Sequence, residues 1–89
     1  MMNISKTTFN FAKKRGIELE LVETNDRLLL AFYEAANDCE WMFSYAVNHD
    51  CLSWGGNVYL SNEVKEELPA TITTEKKLRE VIDFISKSI

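Results

Sequence analysis

The sequence contains few of the residues that mark loops, disulfide scaffolds and low-complexity segments. Its 89 residues include one proline, three glycines and two cysteines. So little glycine and proline excludes collagen-like and repetitive chains, and 46% hydrophobic residues exclude a disordered one. Chains divide into several domains only at about twice this length or more. The composition therefore predicts one folded domain over residues 1–89.

Cysteine and histidine are also scarce. Cys39 and Cys51 allow one disulfide at most, and a small secreted domain would carry more cysteines. With His49 they give three possible zinc ligands, but no closely spaced cysteine pair anchors a structural site. A nucleophilic Cys51 would need His49 and Asp50 to converge on it, which neighbours in a turn rarely do. We therefore expect reduced thiols, no metal, no cofactor and no enzymatic activity.

Long apolar runs are absent. The longest, Leu28–Tyr33 and Trp41–Val47, are far shorter than the about 20 residues that span a bilayer. Residues 1–14 lack the continuous apolar segment and the cleavage site of a signal peptide. These absences predict a cytoplasmic protein without membrane association.

Helical signals are strongest at the two ends of the chain. Residues 3–16 predict a short amphipathic helix with Ser5 as its N-cap and Gly16 as its left-handed C-terminal residue. Another helical turn, capped by Ser61, is predicted before Pro69.

A final helix of about 13 residues is predicted after Thr73 or Thr74, either of which can cap it. Two i,i+4 spacings, Glu75–Arg79 and Arg79–Asp83, predict ion pairs on its exposed side. Its apolar stripe comprises Leu78, Val81, Ile82 and Ile85.

Strand patterns occupy the middle of the chain. From residue 17 onward apolar residues alternate with Glu18 and Glu20, which predicts a half-buried antiparallel strand. Residues 24–26 predict a turn, and residues 27–34 predict the returning strand of a hairpin. The nearly continuous apolar run of this second strand indicates a central position covered on both faces.

A third strand is predicted over residues 40–47, rich in aromatic residues. Residues 51–54 and 57–60 flank Gly55-Gly56, either as a short hairpin or as one bulged edge strand. Small residues also recur at helical spacing within Ala31–Val47, which leaves a partly helical alternative. We favour an α+β fold: a small antiparallel sheet of three to four strands, with an N-terminal and a C-terminal helix packed on it.

The net charge of −4 conceals an uneven distribution along the chain. Residues 1–16 carry four basic and no acidic residues, residues 17–68 carry eleven acidic and two basic, and residues 69–89 carry three acidic and four basic. The three segments therefore have charges of +4, −9 and +1. An anionic sheet repels nucleic acid and attracts basic protein surfaces, so we expect no direct binding of DNA or RNA.

Two kinds of residue predict a partner-binding surface. Carboxylates on a strand are held outward by the backbone, although a solvated face that aids solubility is the simpler interpretation of them. Trp54, beside Gly55-Gly56, is predicted to be an exposed loop aromatic of the kind that anchors interfaces. The predicted residues are Glu18, Glu20, Asp26, Glu34, Asp38, Glu40 and Trp54.

The chain is short, is rich in Lys, Asn and Ile, and has a predicted helix followed by the acidic hairpin strand Gly16–Glu23. In these features it resembles the small acidic inhibitors encoded by bacteriophages and prophages, anti-CRISPR proteins among them. The resemblance implies a stoichiometric inhibitor that occupies a basic, nucleic-acid-binding surface of a host defence complex in the host cytoplasm. Two other hypotheses remain open: an immunity protein or antitoxin that neutralises a toxin, and a structural subunit that self-associates through an edge strand near Asn57–Leu60.

Overall fold

The computed structural model describes residues 4–37 and 39–89 of the chain. Three helices and five strands alternate in the order α1, β1, β2, β3, β4, α2, β5, α3. Their bounds are α1 Lys6–Lys13, β1 Ile17–Glu23, β2 Leu28–Glu34, β3 Phe43–Val47, β4 Leu52–Asn57, α2 Asn62–Glu66, β5 Thr71–Ile72 and α3 Glu75–Ser88. None of the helices in this described part has both the length and the apolar character needed to cross a bilayer.

The five strands form one antiparallel sheet in which spatial order follows chain order. The α+β class is therefore confirmed, with five strands instead of the predicted three to four. The additional strand, β5, has two residues, Thr71 and Ile72, which pair with Ser53 and Leu52. Residues 31–47 contain strand and turn but no helix among those described, so the helical alternative is wrong.

The helices pack on one face of the sheet. Alternate residues of β1 and β2, such as Ile17, Leu30 and Phe32, join the helices in one core cluster. Leu29 and Ala31 point to the opposite face of β2, and they too are buried. The prediction that β2 is buried on both faces is thus confirmed.

Aromatic rings fill the centre of this core. Phe32 stacks on Phe43 with ring centroids 4.3 Å apart, and Phe43 stacks on Trp54 at 5.8 Å. Tyr45 meets Trp54 edge to face at 5.4 Å. Such offset and perpendicular arrangements add to the free energy gained by burying the rings alone.

Helix α3 follows the sequence pattern closely. The Thr74 hydroxyl accepts the backbone N–H of Lys77 at 3.1 Å, as expected of an N-cap. All four residues of the predicted apolar stripe are buried. Of the two predicted ion pairs, Glu75–Arg79 forms at 3.4 Å.

The second predicted pair, Arg79–Asp83, is replaced by two others. Asp83 binds Arg15 from the end of α1 at 3.2 Å and Lys87 at 2.9 Å. Both cations hydrogen-bond the carboxylate, and they lower the pKa of Asp83 despite an opposing effect of partial burial. Asp83 therefore pairs with Arg15, which is distant in the sequence, instead of with Arg79, which the i,i+4 spacing predicted.

Helix α1 is shorter than the predicted residues 3–16. Its N-cap residue, Ser5, accepts no hydrogen bond from the helix and instead donates its hydroxyl to Glu75 of α3 at 2.8 Å. The predicted role of the Ser5 side chain is therefore wrong. Gly16 has a φ of 78°, the left-handed conformation that glycine adopts without steric cost, as predicted.

The two glycines of β4 lie inside a strand. β4 runs through Gly55-Gly56 without a turn, and its register with β3 shifts between Ser44 and Tyr45. A Cβ on Gly55 would come within 2.9 Å of the Ser44 carbonyl oxygen, so only glycine allows this close approach. The bulged-strand alternative is thus correct, but β4 lies between β3 and β5, and the edges of the sheet are β1 and β5.

Candidate binding surface

Glu18 and Glu20 lie together on an exposed face of β1. Their neighbours Ile17 and Leu19 pack into or against the core, so alternation directs the two carboxylates away from the helices. Side chains two residues apart on a strand lie about 6.7 Å apart. We call these two residues the acidic face.

Neither Glu18 nor Glu20 forms an ion pair within the described part of the chain, although Glu18 lines a groove with Lys6 and Lys13. The four ion pairs found there involve only Arg15 and residues of α3. Three basic residues of the last helix, Lys77, Arg79 and Lys87, thus pair with carboxylates of the same helix, and Arg15 pairs with Asp83. Glu18 and Glu20 remain free to attract a positive charge from another molecule.

The other predicted carboxylates lie elsewhere. Asp26 lies in the turn between β1 and β2, and Asp38 lies outside the described residues. Glu34, at the end of β2, accepts a hydrogen bond from the Tyr59 hydroxyl at 3.1 Å. Burial, followed by this bond and the Glu34 charge, raises the pKa of Tyr59, and the charge of Glu40 adds to the effect. Glu34 and Glu40 therefore lie near Tyr59, and Glu34, which pairs with Ile17, points to the opposite face of the sheet from Glu18 and Glu20.

Trp54 does not lie in an exposed loop, contrary to the prediction. It is half-buried in β4, on the face that carries the helices, and stacks on Phe43. β2 and β3 separate its strand from β1. Trp54 lines a separate open groove with Lys65, Glu66, Leu68, Pro69 and Ala70.

A hydrogen bond from the buried Tyr45 side chain holds the Trp54 groove in place. Tyr45 donates a hydrogen bond to the Pro69 carbonyl oxygen at 2.7 Å, which ties the segment after α2 to the centre of the sheet. Burial raises the pKa of Tyr45 to about 12, so the donor keeps its proton throughout the physiological pH range. The groove therefore has a rigid aromatic wall and a charged rim formed by Lys65 and Glu66.

The edge of β1 offers a feature that sequence reasoning missed. An open groove runs between α1 and β1 and is lined by Lys6, Phe9, Asn10, Lys13, Glu18 and Leu19. Beyond it, Leu21 is 47% exposed, although alternation predicted it to be buried beside Leu19. Eight helical residues extend about 12 Å, whereas the seven residues of β1 extend about 23 Å, so α1 covers only part of the strand.

The structure places the Cys51 thiol beside two polar side chains. Cys39 and Cys51 are not joined in a disulfide. Across residues 4–37 and 39–89, no group of three or more histidine, cysteine or carboxylate side chains is placed to hold a metal ion. The Cys51 sulfur lies 4.0 Å from the Ser53 hydroxyl and 3.9 Å from the Asn48 amide, neither of which can act as a base.

Comparison with known proteins identifies one similar family. Residues 42–78 match the vitamin B1 binding domain of thiamin pyrophosphokinase, a match that spans β3, β4, α2, β5 and the start of α3. This finding points to a different family from the phage-encoded inhibitors, and the resemblance to anti-CRISPR proteins is therefore wrong. No curated protein and no solved structure matches the chain. The matched region includes the Trp54 groove but not the acidic face.

Proposed function

We propose that this domain is a non-enzymatic binding module that receives a partner protein with a basic surface at Glu18 and Glu20. The observation that carries the proposal is the placement of two exposed carboxylates on one strand, neither of which forms an ion pair with residues 4–37 or 39–89. Strand hydrogen bonds hold the backbone of both residues in place, so binding costs little backbone ordering.

The charge distribution supports a protein partner over nucleic acid. Residues 17–68 carry a charge of −9, and this segment supplies four of the five strands. Its field repels phosphate and accelerates the approach of basic surfaces. The proposal places the protein in the cytoplasm, where Cys39 and Cys51 are expected to remain reduced.

Charge reversal tests the proposal. A Glu18→Lys/Glu20→Lys variant is expected to bind the captured partner about 10-fold or more weakly, because opposite charges across the interface become like charges. The partner is first isolated by affinity capture from the native host and mass spectrometry. Dissociation constants are then measured at low and raised salt, and wild-type binding is expected to weaken as exposed charges are screened.

Glu63→Lys/Glu67→Lys is the matched control, since it makes the same change in net charge at exposed positions in and next to α2. This control is expected to bind within about threefold of wild type, because its charges lie away from β1. Equal loss in both variants would mean that only net charge matters. If Glu18→Lys/Glu20→Lys binds the partner as tightly as wild type, the acidic face is not the binding site.

A second candidate function rests on the family match. The matched residues 42–78 contain the Trp54 groove, and the matching family is described by its binding of vitamin B1. Thiamin carries a cationic ring, and a cation binds well against the face of a tryptophan next to a carboxylate such as Glu66. We include thiamin as a candidate ligand of this groove, independent of the acidic face.

Titration calorimetry with thiamin distinguishes the two candidates. If the groove binds thiamin, saturable heat is expected for the wild type and about 10-fold weaker binding for Trp54→Ala. Trp41→Ala is the control, because Trp41 is also half-buried but lies outside the matched residues. If correctly folded wild-type protein gives no saturable heat, thiamin binding is excluded. The proposal of a protein partner at the acidic face would not be affected.

A further inference from the structure

The backbone of β1 has an unpaired side. The Ala35 N–H donates to the Gly16 carbonyl at 2.9 Å, and the Thr24 N–H donates to the Arg27 carbonyl at 2.8 Å, one at each end of the β1–β2 ladder. In an antiparallel pair the backbone groups of alternate residues point to the same neighbour. The even-numbered residues of β1 therefore bond to β2, and the odd-numbered residues point outward.

The outward residues of β1 are Leu19, Leu21 and Glu23, together with Ile17 at the start of the strand. β1 is an edge strand, and none of these four residues forms a backbone hydrogen bond with another element among the described residues. A row of unpaired N–H and C=O groups is a template for an added strand. Proline and lysine, which often protect edges, are both absent from Ile17–Glu23.

We infer that the partner of the acidic face binds by adding an extended segment to the β1 edge, with basic residues on one side of that segment and apolar residues on the other. This inference rests on the proposed function and specifies how the partner binds. The added backbone pairs with the outward groups of Leu19 and Leu21, and the side chains of the segment alternate between the two faces of the sheet.

The two faces of β1 require different side chains. On the face away from the helices, alternate side chains of the added segment lie next to Glu18 and Glu20, where lysine or arginine is favoured. On the other face they lie next to Leu19 and the 47% exposed Leu21, where apolar residues are favoured. Lys6 and Lys13 line the groove beside Leu19, which Glu18 also reaches, and they repel a segment whose cations point toward α1. The two lysines thus favour apolar side chains of the added segment on the side of α1.

A second copy of this chain fits the edge poorly. Symmetric antiparallel pairing of two β1 strands about Glu20 places the two Glu20 carboxylates opposite each other, and Glu18 has no basic counterpart on the strand Ile17–Glu23. Directly opposed like charges destabilise a strand pair. Charge complementarity therefore selects a basic segment of another protein.

The test uses the full-length protein labelled with nitrogen-15 and a seven-residue peptide of alternating lysine and valine, which matches the seven residues of β1. Amide hydrogen exchange is expected to slow at least 10-fold at Leu19, Leu21 and Glu23 when the peptide is saturating. A peptide of the same composition with lysines and valines in separate blocks is expected to bind about 10-fold more weakly and to protect none of these amides.

Two variants separate the edge from the charges. Leu21→Pro removes an outward donor while leaving the β2 hydrogen bonds in place, and it is expected to weaken peptide binding about 10-fold. Leu21→Ala keeps the backbone donor and is expected to lose about threefold, from lost apolar contact alone. Circular dichroism of both variants verifies that the sheet is retained. If Leu21→Pro unfolds, protection of the outward amides in wild-type protein still decides the question.

The outcomes distinguish this inference from the proposed function. Suppose that Glu18→Lys/Glu20→Lys abolishes peptide binding but the peptide leaves the outward amides of the wild type unprotected. Strand addition would then be rejected, and the acidic face would remain the proposed binding site. If Glu18→Lys/Glu20→Lys binds as tightly as wild type, the proposed function is rejected as well. Protection of the outward amides without peptide, together with a dimer mass by sedimentation, would show that a second copy occupies the edge and would overturn the inference.

Discussion

Replacing Phe32 with alanine is expected to lower the free energy of unfolding by about 3–5 kcal/mol. The ring is 0% exposed, lies in β2 near the centre of the sheet, stacks on Phe43 at 4.3 Å and meets Tyr45 at 5.9 Å. Its removal costs transfer free energy and leaves a cavity that neighbouring rings fill only in part. A domain of 89 residues has about 4–13 kcal/mol of stability in total. The variant is therefore expected to be marginally folded at room temperature in urea titrations followed by circular dichroism.

Two further variants keep this prediction decisive. Phe32→Leu retains most of the apolar volume and is expected to lose only about 1–1.5 kcal/mol, so it remains measurable if the alanine variant unfolds. Leu21→Ala, on the same side of the sheet but 47% exposed, is expected to lose less than about 1 kcal/mol. Equal losses for Phe32→Ala and Leu21→Ala would contradict the central position of Phe32 in the core.

Replacing Glu75 with glutamine is expected to destabilise the protein by about 1–2 kcal/mol at pH 7. The Glu75 carboxylate accepts hydrogen bonds from the backbone N–H and hydroxyl of Ser5 and, at 3.0 Å, from the Thr8 hydroxyl. It also pairs with Arg79 at 3.4 Å, and it lies in the first turn of α3, where a negative charge meets the positive end of the helix dipole. One charged group thus joins the start of α1 to the start of α3.

The same carboxylate makes the effect depend on pH. Burial acts to raise the pKa of Glu75, but the hydrogen bonds from Ser5 and Thr8 and the charge of Arg79 outweigh it, and the pKa is lowered. A lowered pKa in the folded state means that the stabilisation is complete above the ordinary glutamate pKa and is lost as the pH falls through the lowered value. The difference between wild type and Glu75→Gln is therefore expected to shrink once the pH falls below about 4.

Urea denaturation at pH 7 and pH 3 measures this difference. Glu80→Gln is the control on the same helix, because Glu80 pairs with Lys77 at 3.8 Å and both side chains are half exposed. Its expected effect is within about 0.5 kcal/mol at either pH. A loss for Glu75→Gln that stays constant down to pH 3 would show that the glutamine shape, and not the lost charge, causes it.

The candidate surface shows how far local pattern reasoning extends. The alternation of residues 17–23 correctly predicted that Glu18 and Glu20 lie on one face of a strand, because side-chain direction depends only on strand geometry. That β1 is an edge strand could not be inferred, since the identity of the edges depends on the order of all five strands. The exposure of Leu21 depends likewise on the length of α1, which the sequence overestimated.

Trp54 illustrates the opposite case. Two glycines beside it predicted a loop, since glycine is frequent in turns. The structure uses the missing side chain of Gly55 for close approach to Ser44 within a bulged strand, which holds Trp54 against Phe43. Glycine has the same local signature in both settings, so only the pairing of β4 with β3 decides between them.

The sequence by itself determined the elements whose signals lie within a few consecutive residues: the apolar stripe of α3, the alternation of β1, and the left-handed Gly16. It narrowed the cap of α3 to Thr73 or Thr74, and the structure uses Thr74. Tertiary structure alone decided the two-residue strand β5, the attachment of Ser5 to Glu75 and the unpaired edge of β1. The physical reason is the separation along the chain between the residues that interact. Helix periodicity and caps arise from neighbours along the chain, whereas strand order and contacts such as Ser5–Glu75, separated by 70 residues, exist only once the chain has folded.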